Sequence, residues 1–385
     1  MITSRNECLA KVLSIPVLFL LFCTSVSAEI ICEIPLTDRE PDRILESPQS
    51  GEYWVVMRAN GLLRLSEDEN GNWSTEEYVI IPIYDATGPD ANGLLYLSFA
   101  DYGQSGVYVF DCATHQIVDT VTLGTDYPMR GLTLSNDETK LYVLGWDWPR
   151  VGELNGGWVE TTVHRDSGIV WEIDTDTKEV TDQAPVSALP ETIHYTSCDT
   201  LLVYSEEVHY RFDISPDTAV AMIDVLQIEP RLGRITQIET LFGGMYYEND
   251  FIEWSPEDSQ IAMFASLLDW TWQGDERYIS GVWVIDSETN EVVDTLRILD
   301  EREVETYVEH GVVSETSPGI VYITTQNDVL KVDKQSGAVI EDIDCGHGII
   351  TKFICETPDG LLIVTAHEYE QGVESGKILI IDPTE

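Results

Sequence analysis

Large aromatic and basic side chains concentrate in two segments of this 385-residue chain. Residues 145–167 and 266–280 each contain a Trp-x-Trp motif, and both also carry arginines. Indole rings stack on partner groups, and guanidinium groups donate paired hydrogen bonds to anions, so this composition is typical of a binding surface. The candidate ligand- or partner-binding residues are Tyr102, Arg130, Trp146, Trp148, Arg150, Trp158, Arg165, Trp270, Trp272, Arg277 and Tyr278.

These segments have two interpretations of equal weight. In the first, the rings and arginines form an exposed surface that binds a protein or a glycan. In the second, the segments fold back, bury their own tryptophans and pair their arginines with neighbouring carboxylates.

A cation could be held by residues 66–77, an acidic stretch. Asp68, Asn70 and Glu77 match the spacing of a calcium loop, but Ser66 stands where the first carboxylate is expected. An acidic turn between two strands is the favoured interpretation, and calcium is the alternative.

Three histidines are the other metal candidates. His194, His310 and His347 each come near the start of a strand that would line a central channel. Their distances from the adjacent turns differ, and single histidines are more often structural than metal-binding. The sequence contains no GxSxG, HExxH or Gly-rich phosphate motif, so no catalytic residue and no cofactor are predicted.

The first 28 residues have the pattern of a cleavable signal peptide. Arg5 and Lys11 precede an apolar run over residues 12–23, and Val26 and Ala28 have the spacing that precedes a cleavage site. No later stretch approaches the roughly 20 apolar residues of a membrane helix. A secreted or periplasmic protein without membrane insertion is predicted.

The composition is strongly acidic, with 69 Asp and Glu against 21 Lys and Arg and a formal charge of −48. Such a surface repels nucleic acid and anionic membranes, which excludes both as partners. A solvated surface that keeps an exported monomer in solution is favoured over a cation-binding or high-salt interpretation. If a disulfide exists, the expected pair is Cys345 and Cys355, because they lie on two strands predicted to be consecutive in the chain.

The elements that must position these residues are revealed by an internal repeat. Residues 105–119 read SGVYVFDCATHQIVD, residues 167–182 read SGIVWEIDTDTKEVTD, and residues 280–294 read SGVWVIDSETNEVVD. Each copy is an alternating strand, an Asp-containing turn and a second alternating strand, which predicts a β-hairpin. With the weaker copies, the predicted hairpin turns are at Ser66, Asp111, Asp174, Asp213, Asp286, Asp333 and Asp382.

A second strand pair precedes several of these hairpins, so each repeat has four strands, here called a, b, c and d. The sequence therefore predicts an all-β, seven-bladed β-propeller of four-stranded antiparallel blades, a single domain over residues 29–385. The last copy has no strand d, while residues 29–36 read EIICEIPL. This N-terminal segment is expected to complete the last blade and close the ring.

The repeat resembles the YVTN-type β-propeller repeats and, more broadly, the WD40-like and quinoprotein amine dehydrogenase β-chain-like propellers. The resemblance extends over nearly all of residues 29–385 and rests on an SPDG-like turn, a YV-containing strand, a VxVID strand and a TxxVV strand. It implies architecture more than activity, because such propellers include binding, scaffold and enzymatic members. No copy has the WD dipeptide at a strand end, and the blades that contain Asp174 and Asp286 carry long insertions.

In propellers of this kind the b–c and d–a connections emerge at one face, so both Trp-x-Trp segments, read as b–c loops, should lie on it. A non-catalytic binding or scaffold protein is the first functional hypothesis. The alternative is an enzyme with its site at the channel mouth, either a lactonase-like hydrolase or a quinoprotein-type dehydrogenase component.

Overall fold

All the regular structure in the described residues consists of β-strands. The computed structural model describes residues 28–36, 40–49, 51–57, 60–79, 82–101, 104–124, 129–146, 168–186, 190–196, 201–208, 221–228, 235–240, 245–255, 259–270, 276–286, 291–297, 308–325, 327–370 and 373–384. The strands form seven four-stranded sheets, and neighbouring strands in each sheet are antiparallel.

The first three sheets follow chain order. Blade 1 consists of β2 (Pro41–Glu46), β3 (Glu52–Met57), β4 (Gly61–Glu67) and β5 (Trp73–Val79). Blade 2 consists of β6 (Asp85–Thr87), β7 (Leu94–Asp101), β8 (Gln104–Asp111) and β9 (Gln116–Gly124). Blade 3 consists of β10 (Met129–Leu134), β11 (Lys140–Trp146), β12 (Gly168–Asp174) and β13 (Val180–Val186).

The next three sheets repeat the pattern. Blade 4 consists of β14 (Pro190–Tyr195), β15 (Leu201–Val208), β16 (Ala221–Ile228) and β17 (Ile235–Thr240). Blade 5 consists of β18 (Met245–Ser255), β19 (Gln260–Trp270), β20 (Glu276–Asp286) and β21 (Glu291–Arg297). Blade 6 consists of β22 (Val308–Val313), β23 (Ile320–Thr325), β24 (Asp328–Asp333) and β25 (Val339–Asp344).

Blade 7 joins the two ends of the described chain. It consists of β26 (Ile349–Glu356), β27 (Leu362–Glu370), β28 (Val373–Asp382) and β1 (Glu29–Leu36), with β1 hydrogen-bonded to β28. Lys377 on β28 pairs with Glu33 on β1 at 2.7 Å and with Glu368 on β27 at 2.6 Å. This cation links three adjacent strands of the sheet.

The core lies between successive blades. Trp54 of blade 1 packs with Leu95 and Phe110 of blade 2 in one buried cluster. Similar clusters lie between blades 2 and 3, 3 and 4, 5 and 6, 6 and 7, and 7 and 1. The innermost strands contact one another in the order β2, β6, β10, β14, β18, β22, β26, and β26 also contacts β2. An all-β propeller of four-stranded antiparallel blades, as predicted from the repeat, is confirmed.

The recurrent aspartate at the c–d turn is explained by hydrogen bonding. Asp111 Oδ1 accepts from the amide of Ala113 at 2.8 Å, and Asp174 Oδ1 accepts from the amide of Thr177 at 2.8 Å. Asp333 makes the same contact within its turn. These side chains fix a tight turn locally, which is why the turns are visible in the sequence.

The predicted hairpin turn at Asp213 is wrong. Strand c of blade 4 is β16, which pairs with β15 along its length, so residues 209–220 connect strands b and c and lie outside the described residues. The true strand c, AMIDVLQI, lacks a preceding Ser-Gly pair, while the Asp and Pro residues of 209–220 imitate a turn.

The predicted b–c loops are too long. In blade 5, β19 and β20 continue as a paired ladder to Asp269 opposite Arg277 and Trp270 opposite Glu276. Arg277 and Tyr278 therefore belong to a strand, as does Arg130, which lies in β10 and not in a loop. The b–c ladders in blades 2 and 7 are likewise continuous to the connection, ending at Asp101 opposite Gln104 and at Glu370 opposite Val373.

The expected disulfide between Cys345 and Cys355 does not form, and both are free thiols. Cys345 packs with the core between blades 6 and 7, whereas Cys355 packs with the core between blades 7 and 1. The two side chains lie on opposite faces of blade 7, so consecutive position in the chain does not bring them together.

No helix long and apolar enough to cross a membrane occurs among the described residues. Residues 1–27, which contain most of the predicted signal peptide, lie outside them.

Candidate functional site

The innermost strands are bulged near their first residues. In six of the seven that the structure describes, the inner strand carries one residue more than strand b at this level. A bulge re-aims side chains and is common at rims and next to active sites. The residues at this level of the inner strands, at or beside a bulge or a strand start, are here called the inner rim. They are Asp42, Arg43, Asp85, Arg130, Glu191, Glu248, Asn249, Glu309, His310, Lys352 and Phe353.

Blades 6 and 7 meet at the inner rim through two contacts. Lys352 Nζ lies 3.1 Å from Glu309 Oε1, and the Glu309 side chain is almost completely buried. The ring of Phe353 stacks on the imidazole of His310, with centroids 3.9 Å apart. Thr324, opposite the blade 6 bulge, accepts from the amide of His310 and donates to the carbonyl of Lys352. Its buried hydroxyl thus replaces ladder hydrogen bonds that the bulge removes.

The contacts continue across blade 1 into blade 2. The guanidinium of Arg43 lies over the ring of Phe353, 5.6 Å from its centroid. Its Nη1 also lies 3.1 Å from Asp85 Oδ1. His310, Phe353, Arg43 and Asp85 therefore form one continuous row across four adjacent blades.

Asp85 is the carboxylate of this row, and it is buried. Its Oδ1 accepts from the amide of Ala86 and its Oδ2 from the amide of Leu132 on β10, each at 2.8 Å. Burial raises the pKa of Asp85 to about 6, although Arg43 and the two amides act in the opposite direction. Because both oxygens are engaged, the carboxylate links blades 1, 2 and 3.

An acidic cavity of about 420 Å³ lies at the same end of blade 6, between the start of β24 and the end of β25. Burial, together with repulsion from Asp342 and Asp344, raises the pKa of Asp328 to about 6. The residues that line the cavity are Asn327, Asp328, Asp342, Asp344, Gly346 and His347. Among the described residues, no group of three or more His, Cys, Asp or Glu is arranged to hold a metal ion.

The calcium candidate at residues 66–77 spans the turn between β4 and β5, so the predicted hairpin is present. Asp68 Oδ1 accepts from the amides of Asn70 and Asn72, and the side-chain amide of Asn72 donates to both oxygens. These hydrogen bonds lower the pKa of Asp68 to about 2. Glu77 lies in β5 opposite Leu63, well inside the ladder.

The three predicted channel histidines do not converge. His194 lies in β14 opposite Leu202, His310 is buried in the stack with Phe353, and His347 lines the acidic cavity. They belong to three different settings.

The Trp-x-Trp prediction falls mostly outside the described residues. The backbone places Trp146, Trp270, Arg277, Tyr278 and Arg130 in strands. Residues of the predicted set that lie outside the described ranges are Tyr102, Trp148, Arg150, Trp158, Arg165 and Trp272. Both segments leave their sheets between strands b and c, at the end where the inner strands begin.

Sequence reasoning missed Arg43, Asp85, Glu309, Lys352 and Phe353. The available signal was a charged residue near the start of each predicted inner strand. It was hidden because a bulge breaks the two-residue alternation by which strands are recognised.

Comparison with solved structures supports the fold. A chain of Kuenenia stuttgartiensis hydrazine synthase matches with a TM-score of 0.60 and 15% identity, over 89% of this chain and 96% of that chain. The WD40 β-propeller domain of Doa1 matches with a TM-score of 0.57 and 11% identity, over 93% of this chain and 97% of that chain. No protein-family model matches the sequence, and a comparison with curated proteins finds no match either. At these identities the likeness shows the propeller fold alone.

Proposed function

We propose that this chain is an exported, non-catalytic β-propeller that binds a partner protein at the end where the inner rim lies. The observation that carries the proposal is that charged side chains of the inner rim form ion pairs between blades. Arg43 is paired with Asp85 and Lys352 with Glu309, so these charged groups hold neighbouring blades together. A rigid, structurally engaged rim is a suitable base for recognition loops.

The surrounding loops supply the recognition chemistry. Residues 147–167 and 271–275 leave blades 3 and 5 at this end and bring Trp148, Trp158 and Trp272 with them. Tryptophan is enriched among residues that dominate binding energy at protein interfaces. The structural likeness to a WD40 domain supports a protein partner over a glycan.

The finer architecture is part of this proposal. We take the seven sheets to be the seven blades of a closed ring, with β1 as the outer strand of blade 7. The contact of β26 with β2 supports closure. The pattern of residues 1–28 supports removal of a signal peptide and a secreted or periplasmic location. The acidic surface supports a monomer.

The proposal is tested with the double variant Trp148→Ala/Trp272→Ala. The mature protein is immobilised, partners are enriched from the secreted fraction of the source cells, and the affinity of each purified partner is then measured. We expect the double variant to keep its Tm and to bind at least about 100-fold more weakly, the scale of two interface hot spots. The control is Val118→Ala/Ile340→Ala, which truncates two exposed side chains on outer strands.

Two outcomes would contradict a protein-binding face. A much lower Tm with unchanged affinity would show that the tryptophans are packing residues. Binding confined to a glycan array and lost in the double variant would assign the same face to carbohydrate.

A second candidate function is an enzyme with its site at the inner rim. The observation that favours it is Asp85, a buried carboxylate whose raised pKa suits proton transfer near neutral pH. Hydrolysis of a lactone panel and oxidation of an amine panel by the mature protein test this candidate. Turnover that disappears in Asp85→Asn while Tm is retained would favour the enzyme over the binding protein.

A further inference from the structure

The outer strand of every blade is also bulged. In each of the seven sheets that the structure describes, strand d carries one residue more than strand c at one level of the ladder or more; β9 has a second such level, at Leu123. The extra residues are Ile31, Tyr78, Val118, Thr181, Ile238, Val293 and Ile340. The feature recurs although the sequences of these strands differ.

The bulge residues account for an unusual feature of the surface. The large apolar side chains that are exposed among the described residues all lie on outer strands, at or next to a bulge. Val118 and Ile340 are each 54% exposed, more than the apolar residues that precede them. These exposed side chains do not belong to a buried core, yet the bulge recurs at the same place in the hairpin. The repeated feature is therefore the shape of the backbone and not the side chain.

A charge usually follows the bulge. Asp119 follows Val118, Asp294 follows Val293, and Glu341 follows Ile340; blades 3 and 4 have the same order. The repeated ending of the hairpin, such as VVD at residues 292–294, is therefore a bulge followed by an acid. Bulges and charges on edge strands are the two devices that oppose pairing of one sheet edge with another.

The outer strands need such a device. Each presents a row of backbone amides and carbonyls that has no partner strand on its outer side within its sheet. A ring with seven such edges offers seven sites at which a second copy could add its own edge, and such pairing would not close. A bulge interrupts the regular spacing of these groups, so two edges cannot stay in register past it.

We propose that the outer bulges prevent the sheet edges from pairing with those of a second copy of this chain, and that bulge geometry contributes more than the adjacent acids. The ladder itself suggests the test. Phe110 pairs with Ile117 and Val109 with Asp119, so deletion of Val118 would make these two pairs consecutive and leave every other pair unchanged, including the second bulge of β9 at Leu123. Deletion of Ile340 does the same in blade 6, where Val332 pairs with Val339 and Lys331 with Glu341.

The experiment compares three variants of the mature protein by light scattering coupled to size-exclusion chromatography at increasing concentration. The double deletion of Val118 and Ile340 is expected to associate, with a mass of about twice the monomer or more. Val118→Ala/Ile340→Ala keeps both bulges and removes the apolar side chains, and it is expected to stay monomeric.

The third variant separates geometry from charge. Asp119→Asn/Glu341→Gln keeps both bulges and removes the adjacent acids, and it too is expected to stay monomeric. A double deletion that folds cooperatively and stays monomeric would overturn the proposal. If the double deletion does not fold, the charge variant decides: association would overturn the proposal, and a monomer at all concentrations would support it.

Discussion

At the scale of single residues, glycine at the start of strand c is required by a backbone contact. A Cβ on Gly106 would lie 2.0 Å from the carbonyl oxygen of Val121 on β9, and one on Gly281 would lie 2.7 Å from that of Leu296. The Ser-Gly pair of the repeat is thus a packing requirement between strands c and d. No side chain can replace the hydrogen without moving the outer strand.

We expect Gly106→Ala to destabilise the protein by roughly 3 kcal/mol or more, because overpacking against backbone cannot be relieved by a rotamer change. Thermal and denaturant unfolding would measure the effect. Gly319→Ala is the control, because a Cβ there meets no atom within 4 Å and only its φ of +96° is unfavourable. A smaller loss for Gly106→Ala than for the control would show that strand d is not held close to strand c.

Asp328 provides a residue-scale prediction for pH. Its pKa is raised to about 6 in the folded protein, so its stabilising contribution is fully present below the ordinary value near 3.8 and is lost as pH rises through 6. We expect Asp328→Asn to be more stable than the wild type at pH 8 and equally stable at about pH 3.5, where the carboxyl is protonated in the folded protein. The Tm difference between the two proteins across this range measures the effect.

The control for this prediction is Asp359→Asn, which removes one charge from an exposed turn. If both variants raise the Tm at pH 8 by the same amount, the gain comes from net charge and not from the surroundings of Asp328.

At the scale of strands, cations on strand c hold neighbouring strands together. Arg64 on β4 pairs with Glu52 on β3 at 3.3 Å and with Glu76 on β5 at 2.9 Å. Lys377 does the same in blade 7, where one of its partners is on β1. In a chain with few cations, these described ones are used inside the blades and are not available to anionic ligands.

We expect deletion of residues 29–36 to cost on the order of 5 kcal/mol, since each fully buried aliphatic side chain contributes about 1.5–3 kcal/mol and β1 packs Leu36 and Ile34 against the core. Hydrogen exchange should show loss of protection in β28, the strand that pairs with β1. Glu33→Gln is the control, and its effect should stay below about 1 kcal/mol because that ion pair is half exposed. Unchanged protection of β28 after the deletion would rule out a closing role for β1.

At the scale of the whole molecule, the formal charge of −48 sets an electrostatic cost on compactness. We expect the Tm to rise as sodium chloride increases from about 0.01 M to about 1 M, since the screening length falls from about 30 Å to about 3 Å. Calorimetry would measure the shift, with sucrose of equal osmolarity as the control. A larger rise in sucrose than in salt would show that charge repulsion is not what limits the stability of the folded protein.

Features that depend on residues close together in the chain can be read from the sequence. Alternation predicted the strands, and aspartates that bond their own turn amides, such as Asp111 and Asp174, predicted the c–d turns. Repetition of these local units then predicted a propeller of four-stranded blades, because a blade cannot bury both faces alone. The hairpin prediction was wrong at Asp213, where the connection of residues 209–220 contains the Pro and Asp residues typical of a turn.

Features that depend on contacts between residues far apart in the chain are visible in the folded structure and not in the sequence. The row from His310 to Asp85 joins segments far apart in the chain, and each member lies at or beside a bulge or strand start where alternation gives no signal. The separation of Cys345 from Cys355 by a sheet, and the extension of β19 and β20 into a predicted loop, have the same origin. Register and facing are fixed by the packing of whole blades, which local sequence does not encode.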